Sequence, residues 1–242
     1  LFKRHLIYRL KKKIPIDTDK VKFKSLDEFL NHYGSDKAEI FNLTNKTGHG
    51  FSKFYEEYLK NYKNKEINIL EIGSYAGASA AAFAKYLPNS NIFCFDVNIS
   101  NFKYESKNIH VFGLDIKNEK KVKKTLQSIF LQHKFLKFDL IIDDGSHNLD
   151  DILVGLKLFF ELVKSKGVYI IEDYKYPNYY QYNNNINHIL IDEFLKNLNN
   201  KKNSISNIFS EKDQKILIAS IDKIENLKGN LSDSDISFIT KI

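Results

Sequence analysis

Methionine is absent from all 242 residues, the first position included, and cysteine occurs once. A chain without an initiator is expected to be a processed or shortened form. One cysteine excludes an intramolecular disulfide and any cysteine-rich zinc site. Cys94 stands in the apolar run NIFCF and reads as a core thiol, not a nucleophile. No uninterrupted apolar run approaches the ~20 residues of a membrane span. Basic residues break every apolar run before Ile14, so no secretory leader is expected there, and the cytoplasm is the expected compartment. Net charge is also missing from most of the chain. Residues 1–24 hold nine Lys/Arg against two Asp/Glu, whereas the other 218 hold 28 of each sign. The formal +7 therefore describes an arm, and a uniformly basic nucleic-acid surface is not indicated.

What is present is globular, with 43% hydrophobic and 28% charged residues. Phe2, Leu6, Leu10 and Ile14 recur at helical spacing among basic residues. They predict an amphipathic helix that Pro15 ends, suited to weak contact with an acidic or membrane surface and more simply docked on its own domain. Ser25 and Glu28 form a capping box that opens a short helix to about His32. Phe51, Phe54, Tyr55, Tyr58, Leu59 and Tyr62 mark one helical face, read as core. From Ile67 the pattern alternates. Strands are expected at about 67–72, 91–96, 108–113, 138–143 and 167–172, with helices at about 77–86, 119–132 and 149–165. A helix at about 188–199 and two β-like runs, 215–221 and 236–242, close the chain. This rhythm implies an α/β fold. Its mostly parallel sheet has about seven strands, the last pair including an antiparallel strand, with helices on both faces. The expected organisation is an arm over 1–24 and one domain over 25–242, divided into a helical cap at 25–65 and a core from 66.

Two strand ends organise the rest. FDLIIDDGSH, residues 138–147, runs from apolar residues into Asp143 and Asp144, with His147 three residues after Asp144. GVYIIEDY, residues 167–174, runs into Glu172 and Asp173. Ligands of open α/β sheets bind beyond the carboxyl ends of the strands. Four carboxylates and an imidazole at one mouth would repel one another without a cation, and their oxygens suit Mg²⁺ or Mn²⁺. One acidic strand end arises readily by chance; two with a histidine favour a site.

The first strand runs into Glu71-Ile-Gly73-Ser-Tyr75-Ala-Gly77-Ala-Ser79 and then a helix of small residues. A dinucleotide fingerprint needs glycine where Tyr75 stands, so NAD is disfavoured, and no Gly-Lys-Ser/Thr follows to make a P-loop. The acid followed by x-Gly-x-x-x-Gly instead resembles motif I of class I S-adenosylmethionine-dependent methyltransferases, which have a Rossmann-like fold. Asp96 after the second strand then corresponds to the acid that holds the ribose hydroxyls. Asp115 after the third lies where the adenine amino group would sit.

Residues 31–174 as a whole resemble metal-dependent sugar O-methyltransferases that act on macrolides and other glycosides. The resemblance rests on HYGSDK at 32–37, GHGFSKFYEEYL at 48–59, LEIGSYAGAS at 70–79, DDGSH at 143–147 and IEDY at 171–174. It implies Mg²⁺ held by Asp144, Glu172 and Asp173, with His147 as the base. It also implies a cofactor site of Glu71, Gly73, Ser74, Tyr75, Gly77, Ser79, Asp96 and Asp115. Asp36 and Lys37 would meet the methionine amine and carboxylate respectively, or else form a local salt bridge. Asp143 would meet the methionine ammonium, or else cap its own turn. His49 reads equally as a lid or cofactor contact and as a loop residue; His5, His110, His133 and His188 read as surface or amphipathic positions. The short stretch before residue 31 is where this sequence departs from that pattern, with no long auxiliary domain expected there, which leaves the acceptor and the assembly open. A homo-oligomer is expected. Three other readings stay open: a catechol-type O-methyltransferase, an RNA methyltransferase using the basic arm, and a binding module without catalysis.

Overall fold

The computed structural model describes residues 13–175 and 189–242. The amphipathic helix expected before Lys13, His5, His188 and most of the Tyr- and Asn-rich stretch after Tyr174 lie outside the described residues. Among the described residues the seven longest strands are β1 (Ile67–Ile72), β2 (Ser90–Asp96), β3 (Ile109–Gly113), β4 (Phe138–Asp143), β5 (Val163–Glu172), β6 (Ile221–Lys228) and β7 (Asp235–Lys241). They form one sheet in the order β6-β7-β5-β4-β1-β2-β3. The sheet is mostly parallel; β7 runs antiparallel to both β5 and β6. Among the described residues no helix is long and apolar enough to cross a membrane.

The chain divides into two compact units. The first, residues 1–115 with 229–232, holds β1, β2 and β3 and, among the described residues, the α-helices α1 (Leu26–Tyr33), α2 (Ser52–Leu59) and α3 (Ala78–Tyr86). Ile67, Ile69, Leu70 and Ile72 on β1 and Ile92 to Phe95 on β2 are buried on both faces, which is why these runs show no alternation. The Ser25–Glu28 box caps α1, and Gly34 ends it at φ +78°. Phe51, Tyr55 and Leu59 are fully buried, and the Tyr55 ring meets Phe83 of α3 at 5.3 Å, whereas Phe54, Tyr58 and Tyr62 of the same expected face are only half-buried, so part of that face is core. Residues 80–84 of α3 are all buried, and four of the five are alanine.

Lys13 and Ile14 are not helical. Ile14 and Pro15 pair in parallel with Tyr104 and Glu105. The residue before a proline is pushed to extended backbone, which overrides the helical spacing there. Ile14 N–H donates to Lys103 C=O at 2.8 Å and Ile16 N–H to Glu105 C=O at 2.9 Å. Ile16 is buried, and the Lys85 amine donates to the carbonyls of Ile16 and Asp19.

The second unit, residues 116–228 with 233–242, holds β4 to β7 and α4 (Glu119–His133), α5 (Leu149–Phe159), α6 (Ile191–Asn199) and α7 (Glu211–Ser220). Two expectations fail here. The helix over 149–165 stops at Phe159, continues as a single 3-10 turn to Leu162, and gives way to β5 at Val163. The polar residues at 164–166 that mimic a helix end are an irregularity in the β4–β5 register, where Phe138 pairs with Val163 and Leu140 with Val168. Lys164 reaches back to the Asp139 carboxylate at 2.8 Å. Of the β-like run 215–221, Ile221 begins β6 and residues 215–220 are the last part of α7, opened by a Ser210–Asp213 capping box. Its isoleucines belong to a helix because only Gln214 and Leu217 are buried; β6 follows as a charged edge strand.

Candidate active site

The first unit carries the turn between β1 and α3. Three of its residues have left-handed backbones: Gly73 at φ +85°, Tyr75 at +43° and Gly77 at +75°. Two are glycines, for which this is cheap; Tyr75 is not, and such strain gathers at functional sites. A Cβ at Gly77 would stand 2.4 Å from the Phe102 ring, so only glycine fits. Tyr75 N–H donates to Asp96 Oδ2 at 2.8 Å, and Asn98 N–H donates to Asp96 Oδ1 at 2.7 Å. The acid at the end of β2 is thereby fixed to the motif turn. The Tyr75 side chain is 38% exposed. Glu71 is fully buried at the end of β1, where Ser79 Oγ donates to Oε1 at 2.5 Å; Ser74 Oγ donates to the Glu71 carbonyl at 3.3 Å. Asp115 is exposed just past β3, and Asp36 is exposed beside the buried Lys37. His49 N–H donates to the Asp36 carbonyl at 2.7 Å, so the GHG and GSDK motifs meet through backbone.

The second unit carries the acidic strand ends. Asp144, His147 and Asp173 each offer a donor atom, and these atoms all lie within 4.8 Å of one another. His147 Nε2 is 3.9 Å from Asp144 Oδ1. His147 at φ +58° and Asp173 at φ +48° are both left-handed without being glycine, so the backbone is bent to bring them in. Asp173 N–H donates to the Asp235 carbonyl at 2.8 Å. The Asp235 carboxylate pairs with Lys228 at 2.8 Å and Lys175 at 3.6 Å. Two carboxylates and an imidazole this close match the donor types of a divalent cation site. Glu172, buried in register with Ile236 of β7, is not among the converging donors.

Asp143 is turned inward. Its Oδ2 accepts from the Tyr169 hydroxyl at 3.0 Å, beneath Gly155 of α5. Burial pushes its pKa up to about 7; Asp144 and Asp151 add to the rise, while the Tyr169 hydroxyl and Gly145 N–H oppose it. Tyr169 is itself pushed up by burial and by Asp143. Sequence reading had no signal for this pair, since the two residues sit on different strands. Asp235 was equally silent, being separated from Asp173 by most of the C-terminal third. His110 stacks on Phe93 at 5.0 Å, and His133 ends α4.

No protein-family model matches the chain. Mycinamicin VI 2''-O-methyltransferase of Micromonospora griseorubida is 26% identical over 155 residues, covering 58% of this chain and 37% of that protein. Demethylmacrocin O-methyltransferase of Streptomyces fradiae is 27% identical over 140 residues, covering 54% and 34%. A Streptomyces olivaceus enzyme, 8-demethyl-8-(2-methoxy-alpha-L-rhamnosyl)-tetracenomycin-C 3'-O-methyltransferase, is 30% identical over 140 residues, covering 52% and 32%. The match thus spans about a third of each curated relative. Among solved structures, the MycE methyltransferase of the mycinamycin pathway, in complex with Mg, SAH and mycinamycin VI, superposes with a TM-score of 0.65. It is 18% identical and covers 91% of this chain and 55% of that one. The chain therefore has the class I methyltransferase fold and resembles macrolide and glycoside sugar O-methyltransferases.

Proposed function

We propose that this chain is an S-adenosylmethionine-dependent O-methyltransferase that uses a divalent cation, Mg²⁺ or Mn²⁺, to methylate a hydroxyl of a sugar or glycosylated small molecule. One observation carries the reading: Asp144, His147 and Asp173 converge within 4.8 Å at the ends of neighbouring strands β4 and β5. The relatives whose names specify methylation of sugar hydroxyls support the acceptor class.

The motif turn would hold the cofactor. Its left-handed glycines let the backbone approach a ligand, and Asp96, oriented by the Tyr75 and Asn98 amides, would accept from ribose hydroxyls. When bound, S-adenosylmethionine supplies a methyl already activated by positive sulfur. Asp144 and Asp173 would hold the cation. Such an ion supplies Lewis acidity, which lowers the pKa of a nearby hydroxyl. His147 would take the hydroxyl proton on its imidazole as the oxygen bonds to the methyl carbon and the carbon–sulfur bond breaks, leaving S-adenosylhomocysteine.

The test is methyl transfer from labelled S-adenosylmethionine to a panel of glycosides and catechols. Transfer to a sugar hydroxyl supports the reading; transfer confined to catechols, or none despite cofactor binding, rejects it.

A further inference from the structure

Asn230 lies between β6 and β7, in the segment 229–232 that belongs to the first unit. Every polar group of its side-chain amide is engaged there. Its Nδ2 donates to Glu39 Oε2 at 2.6 Å, and its Oδ1 accepts from the Lys53 amine at 3.2 Å. Its backbone N–H donates to the His49 carbonyl at 2.8 Å. The amide also fills the space over Gly50: a Cβ there would stand 2.3 Å from Asn230 Nδ2, and Gly50 has φ +67°.

The loop under Asn230 is stitched to the segment before it. His49 N–H donates to Asp36 C=O at 2.7 Å, Gly50 N–H to Ala38 C=O at 3.0 Å, and Ser52 N–H to Lys37 C=O at 3.0 Å. Gly48 is held just as tightly, since a Cβ there would meet the Ala38 carbonyl at 2.1 Å. Asp36 and Lys37 thus take their backbone positions from the 48–52 loop, and that loop takes its position from Asn230.

We infer that Asn230 is a positioning residue for cofactor binding, clamping the 48–50 loop and through it the Asp36–Lys37 turn. The inference rests on the proposed cofactor reading together with the expectation that Asp36 and Lys37 meet the methionine amine and carboxylate of S-adenosylmethionine. Without the clamp the free protein spends less time in the binding-competent arrangement, and apparent affinity falls by that fraction. The loss of about one net hydrogen bond corresponds to about a three- to tenfold rise in Kd.

The experiment is calorimetry with S-adenosylhomocysteine on the wild type, Asn230→Ala, Gly50→Ala and the double variant, with thermal midpoint and Mn²⁺ affinity measured alongside. The expected result is a three- to tenfold weaker Kd for Asn230→Ala, unchanged Mn²⁺ affinity, and a double variant weaker by less than the product of the two single effects. A purely structural role would lower the thermal midpoint and leave the Kd of the folded protein alone. Equal Kd values for wild type and Asn230→Ala overturn the inference. A wild type that binds no S-adenosylhomocysteine instead overturns the cofactor reading beneath it.

Discussion

His147 Nε2 lies 3.9 Å from Asp144 Oδ1, and both belong to the donor set that Asp173 completes. Glu172, one residue before Asp173, stands outside that set. The two acids of the same strand end should therefore differ. Asp144→Asn and Asp173→Asn should each cost most of the Mn²⁺ affinity, read by calorimetry, whereas Glu172→Gln should cost distinctly less. Equal losses at Glu172 would show that it binds as fully as the other two.

The base and ligand roles also separate. His147→Ala should retain cation binding within a few-fold and lose roughly 10²–10⁴ in turnover, the range for a general base. Loss of the cation in this variant would make His147 a ligand instead.

Asp96 is held by two backbone amides, at 2.8 and 2.7 Å, with its carboxylate at the strand end. Asp96→Ala should weaken S-adenosylhomocysteine by about ten- to a hundredfold, the cost of about 1.5–3 kcal/mol in charge-assisted hydrogen bonds. Calorimetry showing equal affinity would remove Asp96 from the site.

Asp143 gives stability a pH dependence of definite sign. Its folded pKa is raised from 3.8 to about 7, chiefly by burial. Between those values the folded protein holds a proton that the unfolded chain has lost. The contribution of this group to stability is therefore greatest below the ordinary aspartate range and falls as pH rises toward 7, by at most about 1.4 kcal/mol per pH unit. Asp143→Asn should flatten this slope in urea titrations from pH 4.5 to 7.5 run with a chelator. An unchanged slope would assign it to other groups.

Ile16 is buried, and the strand around it pairs with residues 103–105. Ile16→Ala should cost about 2–5 kcal/mol by lost burial and cavity formation. A urea midpoint unmoved by this substitution would show that the paired segment adds nothing to the stability of the fold.

Legibility followed the range of the determining interactions. Motifs that act within a few residues were plain in the sequence: the Ser25–Glu28 cap, the glycines at 73 and 77, the apolar runs of β1 and β4. The Val163 irregularity was not, because Asp139, its partner for Lys164, is 25 residues away. The helix at 211–220 was missed because β-branched isoleucine favours strand locally, while the Ser210 cap and burial of one face decide otherwise. At the site, the meeting of the two acidic strand ends with His147 was readable, but which of the donors converge was not. Whether Glu172 or His147 faces Asp173 depends on the left-handed turns at 147 and 173, which nothing in residue identity requires. Asn230, 181 residues after His49, lay beyond any local pattern.

The most direct test of the central claim is the initial rate of methyl transfer from S-adenosylmethionine to a glycoside hydroxyl, with and without chelator. The account predicts that chelation abolishes transfer, that Mg²⁺ or Mn²⁺ restores it in the wild type, and that neither restores it in Asp144→Asn. Undiminished turnover in chelator would contradict it.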